Sequence, residues 1–445
     1  MKKLIVLGGG ESGYGAAVLG MKLGMDVFLS DAGALKDKYR KLLTERNIPF
    51  EEGGHTEEKI MAADLVVKSP GIPDTAPLVA TLRKKGTPVV SEIEFAGWHT
   101  DAKMICITGS NGKTTTTSLI YHILKNAGIN AGLAGNIGQS LALQVAEDPK
   151  PLYVIELSSF QLDGMNDFKA DIAVLMNITP DHLDRYDHKM QNYVDSKLRI
   201  IRNQTSSDYF IYWAGDPVII NELPKYDIKS QCLPFSSVSA KEDAAEATDS
   251  EIIVKWSENP AFRIPRAEIP LKGLHNMYNC MAAILASRAC GIDNDDILKG
   301  LKSFEAVPHR LEFIREKDGV RWINDSKATN VASTFYALES MDSPTILILG
   351  GTDKGNDYSE ILPFVKEKVR EIVCMGVDNA KIINFFNNHV EAIHDTHSLE
   401  EAVECCHKAA RKGETVLLSP CCASFDLFKN YEQRGDLFKE AVLKL

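Results

Sequence analysis

The sequence predicts an α/β protein of three domains, each with a largely parallel sheet covered by helices. Its 445 residues exceed the ~250–300 at which a single hydrophobic core stops growing. Short β-rich runs alternate with helical stretches along nearly the whole chain, as expected when crossover helices connect parallel strands. The alternation starts afresh near residue 103 and again after residues 307–313. We therefore expect domains at residues 1–93, 94–305 and 306–445.

The composition is that of a globular protein acting on small molecules. Hydrophobic residues make up 44% of the chain and charged residues 25%, with a formal net charge of −11. No basic run is present for nucleic-acid binding, and no apolar run reaches the ~18 residues that would cross a bilayer. The nine cysteines show no C-x-x-C spacing, which favours reduced thiols in the cytosol. We expect a cytoplasmic protein without nucleic-acid or membrane partners, although a local positive pocket can still bind an anionic substrate.

The first domain begins with a buried strand and a glycine-rich loop. KLIVLG (3–8) predicts the strand, and a helix is expected from about Ala16 to Gly24. Between them, G-x-G-x-x-G at Gly8, Gly10 and Gly13 allows a tight turn and the approach of a diphosphate to the helix N-terminus. The motif predicts a Rossmann-like domain, but by itself it fits a nicotinamide dehydrogenase or another nucleotide-binding protein, with Asp31 near a ribose. Further strands are expected at 25–31, at 64–72 and in PVVSEIEF from residue 88.

The second domain begins with a phosphate-binding loop. G-S-N-G-K-T at Gly109–Thr114 lies between a predicted strand and a helix, so that backbone N–H groups can surround phosphate oxygens. Lys113 would neutralise the β- and γ-phosphates, and the hydroxyl of Thr114 would bind Mg²⁺. The loop is a shortened form, because Ile107 stands where the usual spacing requires glycine; a chance Gly-Lys turn is the alternative. Strands are expected at 152–159, 170–179 and 209–213, an exposed connection at 233–251, and a helix from about residue 275.

Five polar residues of this domain have both a functional and a structural interpretation. Glu156 ends a strand level with the loop, as a Mg²⁺ ligand or as a surface acid. His182 follows the next strand, as a metal ligand or as an ordinary exposed histidine. Lys197 lies on a helix, where the residues alone favour a solvated lysine. Asn276 or Asn279 would bind an adenine edge, or would cap and pack the helix.

The third domain carries four loops that mix basic residues, hydroxyls and glycines. Strands are expected at 345–351, 371–376 and 415–420, and the loops lie at 308–310, 323–330, 350–355 and 419–435. Loops that follow parallel strands gather at the carboxyl edge of an open sheet, where ligands bind. They predict a cationic pocket suited to a carboxylate; solvated surface lysines are the alternative for any one of them.

Taken together, these strings resemble the Mur ligase family. The resemblance is carried in order by GSNGKT, GNIG (135–138), ELSSFQL (156–162), ITPDHLDRY (178–186), YVDSKLRI (193–200) and GLHNMYN (273–279). The family's own phosphate loop has the shortened form. NDSKATN (324–330) and SPCCASFDLFKNYEQRG (419–435) resemble the member that adds D-glutamate, since sister enzymes carry other sequences there. The resemblance covers essentially all of the chain.

The resemblance implies an ATP-dependent, ADP-forming ligase that adds D-glutamate to UDP-N-acetylmuramoyl-L-alanine through an acyl phosphate, for peptidoglycan synthesis. It implies a Rossmann-like first domain that binds the uridine diphosphate, a P-loop ATPase-like centre and a Rossmann-like third domain, with closure between domains. The catalytic residues would be Lys113, Glu156, His182 and Lys197. Two Mg²⁺ ions would be held by Thr114, Glu156, His182 and Lys197, the lysine carrying a CO₂-derived carbamate, since an ammonium would repel the metal.

The resemblance also distributes the substrates over the chain. UDP-substrate contacts would come from Gly10, Ser12, Gly13, Ser69, Gly71, Asn136 and His182. ATP contacts would come from Gly109, Ser110, Asn111, Gly112, Lys113, Thr114, Thr115, Asn276, Arg310, Asp325 and Lys327. D-Glutamate contacts would come from Thr329, Lys354, Ser424 and Tyr431. Ala-Gly after Asp31 departs from better-known relatives, so uracil and ribose contacts are left unassigned there.

Three alternatives remain at this stage. Another amino-acid-adding member or a folylpolyglutamate-type ligase would share the core, but the latter lacks NDSKATN. A dehydrogenase would use only the first glycine motif, and a non-catalytic nucleotide switch only the phosphate loop. We expect a monomer whose partners are the small-molecule substrates UDP-muramoyl-alanine, D-glutamate and ATP.

Overall fold

The computed structural model describes residues 1–237, 243–257, 261–271, 273–305 and 308–445. The chain divides into two compact units. Unit 1 comprises residues 1–269 and 278–304, and unit 2 comprises residues 270–277 and 305–445. Three sheets of five, nine and six strands account for the strands in the described part.

The first sheet lies in unit 1 and is entirely parallel, in the order β3-β2-β1-β4-β5. Its central strand β1 is fully buried at Leu4, Ile5 and Val6, as a strand with helices on both faces must be. The elements are β1 (Lys3–Leu7), α1 (Glu11–Lys22), β2 (Asp26–Ser30), α2 (Asp37–Glu45), β3 (Phe50–Glu51), α3 (Glu57–Met61), β4 (Leu65–Lys68), α4 (Pro77–Lys84), β5 (Val89–Val90) and α5 (Glu92–Gly97).

Two element boundaries in this sheet differ from those expected. Helix α1 begins at Glu11 rather than near Ala16, directly after the glycine motif. The run from residue 88 is a strand only over Val89–Val90. Ser91 then accepts a hydrogen bond from the Glu94 N–H at 3.1 Å and starts a helix, because serine is a strong N-cap residue.

The second sheet also lies in unit 1, in the order β14-β13-β12-β11-β10-β9-β6-β8-β7. It is parallel from β7 through β12 and antiparallel over β12, β13 and β14. The elements are β6 (Lys103–Thr108), α6 (Lys113–Asn126), β7 (Ala131–Gly135), α7 (Leu141–Glu147), β8 (Leu152–Glu156), α8 (Ser159–Asp163), β9 (Ile172–Leu175), α9 (Met190–Leu198), β10 (Tyr209–Trp213), α10 (Pro217–Glu222), β11 (Gln231–Ser236), β12 (Ala245–Ala247), β13 (Glu251–Val254), β14 (Phe262–Pro265), α11 (Leu274–Ala289) and α12 (Asn294–Ser303).

The antiparallel end of this sheet corrects the prediction of an exposed connection at 233–251. Strands β11, β12 and the start of β13 lie there, and Ala245 and Ala247 are buried. Small alanines interspersed with acids are typical of a solvent-exposed connection, but here the alanines face the core. Residues 238–242 of this segment lie outside the described part.

The third sheet lies in unit 2, in the order β15-β16-β20-β17-β18-β19, with only β15 antiparallel to its neighbour. The elements are β15 (Glu312–Lys317), β16 (Val320–Asn324), α13 (Val331–Glu339), β17 (Thr345–Gly350), α14 (Leu362–Lys368), β18 (Val369–Met375), α15 (Ala380–Phe386), β19 (Ala392–Thr396), α16 (Leu399–Ala409), β20 (Thr415–Cys421) and α17 (Tyr431–Lys444). Trp322 and Phe438 pack in its core.

The three sheets confirm the predicted α/β architecture of three domains. The boundary at residues 93 and 94 stays a prediction, because the first two sheets share unit 1. The expected start of the third domain, residue 306, lies outside the described residues. No helix of the described chain is both long and apolar enough to cross a membrane.

Candidate active site

The loop between β6 and α6 has the backbone shape of a phosphate cradle. Gly109 (φ +149°) and Gly112 (φ +84°) adopt conformations that residues with a Cβ rarely adopt. A Cβ at Gly112 would lie 2.5 Å from Oδ1 of Asn279 on α11, so the loop also packs too closely for a larger residue. The loop leads into the 14-residue helix α6, whose first N–H groups have no intrahelical acceptor and favour an anion.

Residues that follow β9 fix the shape of this loop. The Ser110 N–H donates to the Asn177 carbonyl at 2.9 Å, and the Asn111 N–H donates to Asn177 Oδ1 at 2.8 Å. Ser110 Oγ donates to the Thr179 carbonyl at 2.8 Å. The loop is therefore preorganised by its own neighbours before any ligand binds.

Lys113 lies directly over the loop. Its Nζ donates to the carbonyls of Gly109 and Ser110, both at 2.8 Å. Next along α6, Thr114 is buried, and the buried Thr115 hydroxyl has no hydrogen-bond partner among the described residues. The N-terminus of α6 thus has an ammonium and hydroxyl groups around it, which suits the binding of a nucleoside triphosphate.

Glu156 ends β8 beside the loop, where it pairs in register with Ile107 of β6. It is 1% exposed, which overturns its interpretation as a surface acid. Oε1 accepts a hydrogen bond from Nδ2 of Asn136 at 2.9 Å, whereas Oε2 has no partner among the described residues. A buried carboxylate oxygen without a donor is costly, so this atom fits a cation ligand.

Lys197 contradicts the expectation of a solvated lysine. It is 1% exposed, and its Nζ donates to the Gly109 carbonyl at 2.7 Å and lies 4.6 Å from the Tyr193 ring centroid. Burial, followed by the charge of Lys113, lowers the pKa of Lys197 well below its ordinary value, against the opposing effect of Asp181. The phosphate loop thus has a second amine beside it that is readily neutral.

His182 lies in the segment that anchors the loop. Its φ of +53° is in the left-handed region, its side chain is 40% exposed, and Nε2 is 3.6 Å from Oδ2 of Asp181. The ring contacts Phe160, with centroids 5.2 Å apart. No group of three or more His, Cys, Asp or Glu side chains in the described residues is arranged to hold a metal. Mg²⁺ is usually bound by one or two carboxylates together with phosphate and water, and Glu156 is suited to that role.

The first glycine motif forms a second cradle in unit 1. A Cβ at Gly13 would lie 1.8 Å from the Gly8 carbonyl oxygen, and one at Gly8 would lie 2.5 Å from Ser69 Oγ. Gly10 and Gly71 instead face open space, since a Cβ built there would have no non-adjacent heavy atom of the described part of the chain within 4 Å. Gly8 and Gly13 thus permit close packing, whereas Gly10 and Gly71 leave room for a ligand.

Asp31 accepts hydrogen bonds from two backbone N–H groups. Its Oδ2 accepts from the Gly9 N–H at 2.6 Å, and its Oδ1 accepts from the Gly33 N–H at 2.8 Å. Oδ2 therefore holds the glycine loop, and Oδ1 holds the turn that follows β2. Asp31 thus has a structural role that the dehydrogenase interpretation did not give it.

In unit 2, the predicted site residue Asp325 is a buried carboxyl with a raised pKa. It is 3% exposed, and it accepts from Ser419 Oγ at 2.8 Å and from the Leu311 N–H at 3.2 Å. Burial raises the pKa of Asp325 to about 7, although the nearby Arg310 opposes the shift. Arg310 has a buried Nε without a partner among the described residues, and Nζ of Lys327 lies 5.2 Å from the Tyr431 ring centroid.

The two asparagines proposed for adenine both lie on α11, one turn apart. Asn279 belongs to unit 1, where its Oδ1 accepts from Thr116 Oγ1 at 3.1 Å. Asn276 belongs to unit 2 and is buried. Its neighbour His275 has its pKa lowered to about 3 by burial and by Arg310.

The predicted D-glutamate loops of unit 2 lie against one another. Thr352 and Ala423 exchange backbone hydrogen bonds of 2.8 and 3.2 Å, which joins loops 350–355 and 419–424. Ser326 Oγ donates to the Tyr431 carbonyl at 2.8 Å. Among the four residues proposed to contact D-glutamate, Ser424 is buried, Thr329 and Tyr431 are half-buried, and Lys354 is exposed.

Arg434 is a functional candidate outside the set of predicted site residues. It is 1% exposed, and NH2 donates to the Ser326 carbonyl at 2.8 Å and to the Cys422 carbonyl at 3.3 Å. A buried guanidinium that joins two of the predicted loops fixes their spacing. Its position in the first turn of α17, inside the string 419–435, was the available signal.

Comparisons with known proteins match this architecture over the whole chain. The MurD N-terminal domain matches residues 3–77, the Mur ligase middle domain residues 107–287, and the Mur ligase, glutamate ligase domain residues 309–422. The chain is 57% identical over 446 residues to the UDP-N-acetylmuramoylalanine--D-glutamate ligase of Bacteroides fragilis, covering 100% of both chains.

Solved structures share the fold at lower identity. A pseudomurein peptide ligase type C from Methanothermus fervidus matches with a TM-score of 0.65 at 19% identity, over 100% of both chains. MurF ligase from Thermotoga maritima, in complex with ADP, matches with a TM-score of 0.62 at 18% identity, over 94% of this chain and 95% of that one. From the family models and the full-length identity together, the chain belongs to the Mur ligase family.

Proposed function

We propose that the chain is an ATP-dependent, ADP-forming ligase that joins D-glutamate to UDP-N-acetylmuramoyl-L-alanine. The observation that carries the proposal is the phosphate loop with Lys113 above it. Beside the loop lies Oε2 of Glu156, which has no hydrogen-bond partner among the described residues. This loop occurs in a chain 57% identical, end to end, to a relative named for that reaction. The ADP complex of the MurF neighbour supports the choice of nucleotide.

The reaction needs an activated carboxylate. Hydroxide is a poor leaving group, so the amine of D-glutamate cannot displace it from the alanine carboxylate. Transfer of the γ-phosphoryl group of ATP to that carboxylate forms a mixed anhydride and releases ADP. Attack by the amine then forms the amide bond, breaks the C–O bond to phosphate and releases inorganic phosphate and a proton.

The residues around the loop would bring two anions together. The loop N–H groups and Lys113 would bind the β- and γ-phosphates and neutralise charge as it moves during transfer. Thr114 and Glu156 would hold one Mg²⁺, and His182 and modified Lys197 a second. Oε2 of Glu156, to which no described residue donates a hydrogen bond, supports this fit. Bound Mg²⁺ would supply positive charge to the phosphate and carboxylate oxygens.

Lys197 would carry a carbamate. A carbamate forms when a neutral amine attacks CO₂ and loses a proton, and the lowered pKa of Lys197 favours the neutral amine. The N–H that the carbamate keeps can still donate to the Gly109 carbonyl that Nζ now contacts. The modification would replace a neutral amine by an anion beside the Lys113 ammonium, which makes an opposite-charge pair.

The two remaining substrates would use the other cradles. The uridine diphosphate would lie over Gly10, Ser12 and Gly13, with Ser69 and Gly71 nearby and Asn136 towards the muramoyl-alanine. The carboxylates of D-glutamate would bind Thr329, Lys354, Ser424 and the segment to Tyr431. The assignments of Asn276, Arg310, Asp325 and Lys327 to ATP stay predictions.

A phosphate-release assay tests the proposal. The purified protein is given ATP, Mg²⁺ and UDP-N-acetylmuramoyl-L-alanine with a panel of D- and L-amino acids. Release is expected only with D-glutamate, and release with another acceptor would assign the chain to a sister activity. We also expect light scattering to show a monomer and cell fractionation to place the protein in the cytoplasm.

A further inference from the structure

Arg185 connects the two sheets of unit 1 at the uridine-diphosphate cradle. It lies in a short 3₁₀ turn, Leu183–Tyr186, that immediately follows His182. Its NH1 donates to the Gly71 carbonyl at 3.2 Å, and its NH2 lies 3.5 Å from the Pro70 carbonyl. These carbonyls belong to the loop after β4 of the first sheet, whereas Arg185 follows β9 of the second.

The same guanidinium rests on an aromatic group that contacts His182. Its central carbon lies 4.4 Å from the Phe160 ring centroid, a distance at which a cation is attracted to the ring face. The Phe160 ring also contacts His182 and stacks on Tyr186, with centroids 5.2 and 6.1 Å apart. Contacts therefore run continuously from the Pro70–Gly71 loop, through Arg185 and Phe160, to His182.

We propose that Arg185 is a positioning residue that sets the distance between the Pro70–Gly71 loop and His182. The inference rests on the proposed function. The UDP-linked substrate must span from the glycine cradle to the phosphate loop, so an error in the position of the Pro70–Gly71 loop displaces the carboxylate that is to be phosphorylated. Small displacements of reacting groups are costly. The open space beside Gly71 allows a ligand to lie against the loop that Arg185 holds.

Attachment of the two sheets does not depend on Arg185. Helices α1 and α7 pack so closely that a Cβ at Gly15 would lie 1.9 Å from Ser140 Oγ. Buried Glu92 of α5 accepts from Ser140 Oγ at 2.5 Å and from the Ala142 N–H at 2.6 Å. Loss of Arg185 should therefore loosen one loop and leave the association of the sheets in place.

Arg199 offers a matched control. Its Nε and NH2 donate to the carbonyls of Leu162 and Met165 at 3.0 and 3.1 Å. It thus also bonds to two carbonyls, but both belong to the segment after β8 of the second sheet. Arg185→Gln, Arg185→Lys and Arg199→Lys are compared with the wild type for the KM of each substrate, for kcat and for hydrogen exchange of residues 69–72.

Arg185→Gln is expected to raise the KM for the UDP-linked substrate about tenfold, the size of one charge-assisted hydrogen bond, while the KM for ATP changes less than about twofold. The Ile72 amide, which donates to the Ser69 carbonyl, should exchange faster. Arg185→Lys should be intermediate, because it keeps the charge but not the planar fork. Arg199→Lys should change neither the KM for the UDP-linked substrate nor the exchange rate of the Ile72 amide.

An unchanged KM for the UDP-linked substrate, or equal changes in Arg199→Lys, would overturn the inference and leave Arg185 a stabilising residue. Should the wild type release no phosphate with any acceptor, the proposed function fails instead. Hydrogen exchange and the binding of UDP alone then still decide whether Arg185 positions the loop: faster exchange with weaker UDP binding supports it, and no change in either overturns it.

Discussion

Asp325→Asn should stabilise unit 2 at neutral pH and remove part of its pH dependence. The side chain is 3% exposed, and burial raises its pKa to about 7, whereas an unfolded aspartate has a pKa near ~4. Between these values the folded state holds a proton that the unfolded state has lost. The contribution of Asp325 to the free energy of unfolding therefore falls as the pH rises from about 4 to about 7. Above that interval this contribution is constant.

The expected magnitude follows from this difference. About three pKa units at ~1.4 kcal/mol each give about 4 kcal/mol of destabilisation at neutral pH, to within a factor of two. Asparagine can keep both hydrogen bonds. Its Oδ1 can accept from the Leu311 N–H, and its Nδ2 can donate to Ser419 Oγ, which in turn can donate to Thr334 Oγ1 at 3.2 Å.

Hydrogen exchange of β16 amides in increasing urea, from pH 5 to pH 8, measures the effect in the full chain. In the wild type, the free energy of opening should fall as the pH rises from 5 to 8. In Asp325→Asn it should fall less, so that at pH 8 the variant has the larger free energy of opening. Asp318→Asn, on the exposed turn after β15, is the control and should follow the wild type. If the free energy of opening depended on pH in the same way in the wild type and in Asp325→Asn, burial would not be what raises the pKa of this carboxyl.

Three further predictions concern catalysis. Lys113→Ala should lower kcat about 10²- to 10³-fold, because a preorganised charge at the moving phosphoryl group is lost; near-normal ADP release in the folded variant would contradict its role. Lys197→Ala should be nearly inactive and partly rescued by short carboxylates, whereas Lys197→Arg should stay inactive. Full activity of Lys197→Ala, with no density beyond Nζ of Lys197 in a crystal structure of the wild type, would exclude the carbamate. Lys354→Ala should raise the KM for D-glutamate about 10- to 100-fold, the effect of losing one hydrogen bond to a charged group. Ser424→Ala should raise this KM less, and the KM for ATP should be nearly unchanged in both variants. A change confined to the KM for ATP would show that the D-glutamate pocket is misplaced.

The phosphate loop could be predicted because its requirements are local. Backbone at positive φ selects glycine at Gly109 and Gly112, and a strand before and a helix after the loop are visible within a few residues. The three-domain α/β fold was predictable for a related reason. Alternating apolar runs and helical stretches report burial on both faces of a parallel sheet without knowledge of the strand order.

Long-range contacts account for what the sequence did not reveal. The helical pattern around Lys197 cannot show that its amine reaches Gly109, which lies 88 positions earlier. Asp31 has the residue type of a ribose ligand, and only the positions of the Gly9 and Gly33 N–H groups show that it serves the loop. Strand β12 has only three residues, too few for its alternation to be distinguished from an acidic connection.

The central claim is that this chain forms an amide between UDP-N-acetylmuramoyl-L-alanine and D-glutamate at the expense of ATP. The most direct measurement is mass spectrometry of the product, with D-glutamate and L-glutamate supplied in parallel and phosphate release followed in both. With D-glutamate we expect one molecule of amide product, heavier than the UDP-linked substrate by glutamate minus water, for each phosphate released. With L-glutamate we expect almost no amide product. Equal reaction of both isomers, or phosphate release without the adduct, would contradict the claim.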